Sequence, residues 1–191
     1  MLKKLIPSKT RLKILTLFFL HPNENYYLRK VVREISEEVN AVKRELDILE
    51  GEKVLDKERR LNKVFYTINK NYMFYDEFLR IFSKFDNLSQ LIFKNRSKLG
   101  KIKFIALSTK YIKRLSIKED EVYLLVVGIV VVPEITSIVS EVEKEFGREI
   151  NYTVMPDEEF AFRKKNNDPF VWKFLRQPKI MLVGSEDDLL K

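Results

Sequence analysis

The sequence predicts an α+β chain built in two parts, and three observations carry that expectation. Apolar residues recur at helical spacing through residues 8–50. A charged stretch and the β-prone run Val64-Phe65-Tyr66-Thr67-Ile68 then read as a hairpin. Beyond Gly100, short β-prone runs alternate with helical ones. A chain of 191 residues has room for one large core or two small ones.

In order, Ser8 or Thr10 caps a first helix whose apolar positions are Leu12, Leu15, Phe18 and Phe19, and His21-Pro22-Asn23 stops it. A second helix starts near Asn25 and sets Leu28, Val31, Val32 and Ile35 on one stripe. Ser36 opens a third, with Val39, Val42, Leu46 and Leu49 inward and Gly51 as its left-handed cap. Val54-Leu55, the charged stretch Asp56 to Lys63 and the run ending at Ile68 form the hairpin, with a basic tip.

From Tyr72 to about Leu99 the pattern is helical again, as one long helix or two joined near Asp86-Asn87. Strands are then expected at Ile102 to Leu107, Val122 to Val127, Ile150 to Met155 and Ile180 to Val183. Helices are expected at Ile135 to Phe146, ended by Gly147, at Glu158 to Lys165 and at Phe170 to Leu175. The expected division is 1–70, 71–100 as a helical connector and candidate dimer interface, and 101–191.

Composition narrows the function classes. Apolar residues make up 45% and charged residues 34%, a globular balance. With no cysteine, disulfides and thiolate metal ligation are excluded. The longest apolar run, Val122 to Val132, falls short of the ~20 residues a membrane helix needs, and no secretory leader pattern opens the chain. A soluble cytoplasmic protein is the expectation. Net charge is +8, and its distribution is uneven: residues 1–100 carry 21 Lys+Arg against 13 Asp+Glu, whereas residues 101–191 carry 15 of each. A basic half beside a neutral one suggests that one part meets a polyanion.

Three short helices followed by a hairpin with a charged tip is the order of a winged helix-turn-helix. Its third helix must show the core an apolar face and the major groove a polar one. Asn40, Lys43, Arg44 and Asp47 follow at i, i+3, i+4 and i+7, on a face other than the apolar stripe. Asn pairs bidentately with adenine and Arg with guanine, so Asn40 and Arg44 are the candidates for base contact, and Lys43 suits either bases or backbone. Lys57, Arg59, Arg60 and Lys63 on the wing would meet phosphates or the adjacent minor groove. Glu37, Glu38 and Glu45 oppose this reading, since they would repel phosphates if they faced the duplex. The expected partner is double-stranded DNA, bound by a homodimer.

Residues 8–190 resemble archaeal and bacterial regulators that fuse a winged helix to a small nucleotidyltransferase-like domain. The likeness lies in "KTRLKILTLFFLHPNENYYLRKVVREI" and "VNAVKRELDILEGEKVLDKERRLNKVFYTIN" for the first part, and in "YLLVVG", "FGREINYTVMPDEEF" and "DPFVWKFLRQPKIMLVG" for the second. Active nucleotidyltransferases carry a Gly-Ser turn after the first strand, an Asp-x-Asp pair on the second and a third carboxylate later. The glycine admits triphosphate to backbone amides, and the carboxylates hold Mg²⁺. Here Thr109-Lys110 stands at the Gly-Ser position, Glu121-Val122-Tyr123 at the Asp-x-Asp position, and Asn151 near the third carboxylate. Tyr123 cannot replace a carboxylate, so the resemblance implies a domain that has lost two-metal catalysis and needs no cofactor.

Such a domain would serve for dimerisation, effector or partner binding. A residual nucleotide pocket would draw on Lys110, Lys113, Arg114 and Glu121. The alternative is a divergent nucleotidyltransferase targeted by its winged helix. Among smaller signals, the lone His21 reads as a helix-end residue, Trp172 as core or a dimer anchor, and the aromatics from Tyr72 to Phe85 as core or an interface rather than a platform for single strands.

Overall fold

The computed structural model describes residues 4–191 and shows a mixed α+β chain with two separate sheets. It divides into two compact units, Met1–Ser83 and Lys84–Lys191. The boundary falls inside the expected 71–100 connector, so that segment is shared between the units. No helix among the described residues is long and apolar enough to cross a membrane.

In the first unit, α1 (Lys9–Leu20) begins where Ser8 Oγ accepts the Arg11 amide at 3.2 Å. Its Ile14, Leu15, Phe18 and Phe19 are buried. β1 (Tyr26–Tyr27), α2 (Leu28–Ile35) and α3 (Val39–Gly51) follow. Helix α2 therefore starts at Leu28 and not near Asn25, because the β-prone pair Tyr26-Tyr27 is drawn into a sheet. Ser36 ends α2 in the left-handed conformation (φ 50°) and does not open α3, whose cap is Glu38. Of the stripe expected on α3, Val42, Leu46 and Leu49 are buried, whereas Val39 in the first turn is 45% exposed. Gly51 is the last helical residue, and Lys53 takes the left-handed turn (φ 61°).

The hairpin β2 (Leu55–Arg60) and β3 (Lys63–Ile68) pairs from Leu55↔Ile68 to Arg60↔Lys63 around the two-residue turn Leu61-Asn62. The charged run 56–60 is thus itself a strand. Strand β3 also pairs with β1, giving the order β1-β3-β2. α4 (Tyr75–Phe82) packs on α1 through Phe19, whose ring lies 5.2 Å from Phe82, 5.7 Å from Phe78 and 5.9 Å from Tyr75. Each such pair contributes about 0.5–1.5 kcal/mol beyond its buried area. Of the aromatics from Tyr72 to Phe85, Tyr75 and Phe82 thus lie in the core and Tyr72 and Phe78 are half-buried, whereas Phe74 and Phe85 are exposed.

The second unit opens with α5 (Asn87–Lys94), N-capped by Asp86, so the helical stretch is two helices, with the second starting at the expected Asp86-Asn87. Next come β4 (Gly100–Ser108), the short α6 (Thr109–Ile112), β5 (Leu124–Val130), α7 (Val132–Phe146), β6 (Tyr152–Met155), α8 (Asp157–Lys165), α9 (Pro169–Arg176), β7 (Lys179–Val183) and α10 (Glu186–Leu190). The sequence pattern missed α6 and α10, each too short to show helical periodicity.

The sheet runs β6-β5-β4-β7, with β5 and β6 parallel and the other pairs antiparallel. One face carries Phe104, Ala106, Leu125 and Val127 into a core completed by Phe160 of α8, Val171 and Phe174 of α9 and Leu189 of α10. Gly128 sits opposite a register shift in β4, with φ 139° and Lys101 O only 2.5 Å from where a Cβ would lie. No other residue fits there without moving backbone.

Candidate nucleic-acid interface

Helix α3 shows two faces. Val42, Glu45, Leu46 and Leu49 are buried, while Asn40, Lys43, Arg44 and Asp47 are exposed. Among the described residues, no hydrogen bond or ion pair engages the side chains of Asn40, Lys43 or Arg44. Asp47 differs: it approaches Lys57 of β2 at 3.8 Å and ties the helix to the hairpin.

The three acids that opposed a polyanion partner are all engaged. Glu45 is buried; Ser8 Oγ donates to its Oε1 at 2.7 Å and Arg11 Nε to its Oε2 at 2.7 Å. Burial works against its charge, but the bonds from Ser8 and Arg11 and the Arg11 charge outweigh it and hold the carboxyl below its ordinary range. Glu38 accepts the amides of Asn40 at 3.1 Å and Ala41 at 2.9 Å, and these bonds lower its pKa. It caps the helix whose acids the dipole favours. Glu37 pairs with Lys13 at 2.7 Å and Lys9 at 3.5 Å, its pKa lowered chiefly by the Lys13 bond.

The hairpin cations do not share one face. Register sets Lys57 opposite Tyr66 and Arg59 opposite Val64, while Glu58 faces Phe65 and Arg60 faces Lys63. Successive residues of a strand point to opposite sides, which puts Lys57 and Arg59 on one side and Arg60 and Lys63 on the other. Ring contacts agree. Lys57 Nζ lies 6.0 Å from the Tyr66 ring, Arg60 lies 5.8 Å from Phe65, and Lys63 Nζ lies 4.9 Å from Tyr27. Arg60 is further held by Glu58 at 2.6 Å, which raises its own pKa through that bond. The tip is therefore not a single basic point; its cations are split by the pleat.

Between α3 and the hairpin lies a cleft of about 570 Å³, lined by Lys43, Lys57 and Lys63 of the expected set and by Asp47. Tyr27, Arg29 and Tyr66 also line it, and the sequence reading had not singled them out. For Tyr27 and Arg29 the local pattern carries no signal, because it continues a helix through Tyr26-Tyr27 and only the β1–β3 pairing brings this segment to the hairpin.

In the second unit, Lys110 and Glu121 are brought together, with Nζ to Oε2 at 2.8 Å. Glu121 also accepts the Lys118 amide at 3.1 Å and lies 3.5 Å from Lys173. The Lys110 bond is the largest cause of its lowered pKa. Lys113 follows α6, and Arg114 takes a left-handed turn (φ 51°) beyond it. Among the described residues, no group of three or more His, Cys, Asp or Glu side chains is placed to hold a metal ion.

No protein-family model matches the chain, and no curated protein matches it. Among solved structures, part of the chain is similar to reduced HlyU from Vibrio cholerae, at 17% sequence identity over 43% of this chain and 78% of that one, with a TM-score of 0.34.

Proposed function

We propose that the first unit is a winged helix-turn-helix that binds double-stranded DNA, and that the chain acts as a cytoplasmic transcriptional regulator. The observation that carries this reading is the division of charge on and around α3. Lys43 and Arg44 are exposed and their side chains make no hydrogen bond or ion pair among the described residues, while Glu37, Glu38 and Glu45 are each taken up by bonds within the unit. A face so arranged offers donors to a polyanion and withholds acceptors.

In this reading α3 enters the major groove, Asn40 and Arg44 contact base edges, and Lys43 serves bases or phosphate. Lys57 and Arg59 meet the backbone on one side of the wing, Arg60 meets it or the minor groove on the other, and Lys63 meets phosphate from the mouth of the α3 cleft that it lines. A homodimer would present two such helices to half-sites about one helical turn apart. The second unit is a nucleotidyltransferase-like domain without activity that serves for dimerisation, effector or partner binding. The catalytic alternative is weaker because the one carboxylate at the expected pair position, Glu121, is bound by Lys110 and Lys173.

Selection of bound duplexes from a random library tests the reading. An enriched two-fold symmetric motif is the expected result. Recovery of no motif, with label transferred from an α-labelled nucleotide instead, would favour the enzyme.

A further inference from the structure

A second cleft, of about 830 Å³, opens in the second unit beside α8. That lies within the usual size of small-molecule sites, about 300–1,000 Å³. Half-buried Trp172 supplies its exposed aromatic surface, while Phe104 and Phe160, 4% and 2% exposed with centroids 6.4 Å apart, form the floor beneath. Trp172 is half-buried, and its indole N–H is already given to the Lys164 carbonyl oxygen at 2.9 Å. Its ring lines the cleft, with the Arg176 guanidinium 5.7 Å from the ring centroid. Beneath the sheet face, Gly184 (φ 80°) lets Phe104 approach to where a Cβ would meet the ring at 2.5 Å.

The charges around this lining are unequal. Lys103 binds both oxygens of Asp157, at 2.8 and 2.7 Å, and Lys191 binds Asp188 at 3.2 Å. Lys164 has only a neutral acceptor, the Leu189 carbonyl oxygen at 3.2 Å, and stands 5.5 Å from the Phe160 ring. Lys165 is exposed and makes no hydrogen bond or ion pair among the described residues. The helix dipole favours cations at this end of α8, and Arg163 answers to that while pairing with Glu159 at 2.6 Å. It does not account for two cations without acids lining an aromatic cleft. None of Lys110, Lys113, Arg114 and Glu121 lines it, and Lys103 lies near the start of β4 whereas Lys110 follows its end.

We propose that this cleft binds a small organic anion that carries a planar ring. The ring lies against Trp172, and the anionic group meets Lys164 and Lys165. The site rests on the second unit alone and is tested without DNA, so its failure would leave the DNA reading standing.

Trp172 is the chain's one tryptophan, so its emission reports on this cleft. The full chain is titrated with phenyl phosphate, with benzyl alcohol as a ring without charge, and with inorganic phosphate as charge without a ring. Phenyl phosphate is expected to change the emission saturably, at a concentration lower by about tenfold than either control. The double variant Lys164→Gln/Lys165→Gln, and Lys165→Glu at an exposed position that cannot disturb the core, should each weaken phenyl phosphate by about tenfold with thermal unfolding unchanged. No saturable change would overturn the site. So would equal binding of the controls, or undiminished binding by Lys165→Glu.

Discussion

Arg11 of α1 donates through Nε to Glu45 Oε2 of α3 at 2.7 Å, and the carboxylate keeps only 5% of its exposure. The same carboxylate accepts Ser8 Oγ, the group that caps α1. An acid that would repel phosphate if exposed is thereby turned into a tie between the first helix and the proposed recognition helix. Arg11→Met should leave that buried carboxylate with Ser8 as its hydrogen-bond donor and lower stability by about 1–3 kcal/mol in urea unfolding, the Arg being partly exposed. An unchanged midpoint would mean the tie carries no weight.

The acid side of the stability profile should reflect the same bond. Glu45 titrates below its ordinary range in the folded chain. Its contribution is therefore full above the unfolded value and is lost as pH falls through the lowered, folded one. Glu45→Gln should flatten the fall of stability below about pH 4.5, the ordinary glutamate value. An acid limb identical to that of the parent chain would contradict this.

Arg44 and Arg60 should separate by kind of effect. Arg44→Ala is expected to cost about 1–3 kcal/mol on the preferred duplex and to relax specificity. Arg60→Ala should weaken all duplexes alike and reduce the salt slope by about one. Competition binding with preferred and scrambled duplexes distinguishes them. Equal losses on both duplexes for Arg44→Ala would remove it from base reading.

Gly184→Ala should destabilise the second unit. A Cβ there would lie 2.5 Å from the Phe104 ring and 2.9 Å from Lys103 O, on a residue with φ 80°. The expected loss is about 1–3 kcal/mol in thermal or urea unfolding. Unaltered stability would show that Phe104 can withdraw.

Periodicity alone made much of this visible. α1, the buried stripe of α3 and the hairpin follow from apolar spacing, since Leu12, Leu15, Phe18, Val42, Leu46 and Leu49 all lie in the core. Non-local pairing hid the rest. Tyr26-Tyr27 is β-prone but too short a pair to be read locally, and becomes a strand because Tyr66 and Phe65 are there to pair with it. The polar face of α3 was legible as a face. The resting places of Glu37 and Glu45 were not, because Lys13, Arg11 and Ser8 reach them only once α1 is packed, whereas Glu38 caps α3 locally. A run such as 56–60 also cannot show which cations share a side until its register is fixed.

The central claim, that α3 and its wing bind duplex DNA, is tested most directly by fluorescence anisotropy of the full chain on a labelled duplex across a salt series. The logarithm of affinity should fall linearly with the logarithm of salt, with a slope near −0.9 for each phosphate engaged, and several phosphates should be counted. A steep slope that Arg59→Ala and Lys63→Ala each make shallower is the predicted result. No binding at low salt, or binding indifferent to salt, would contradict it.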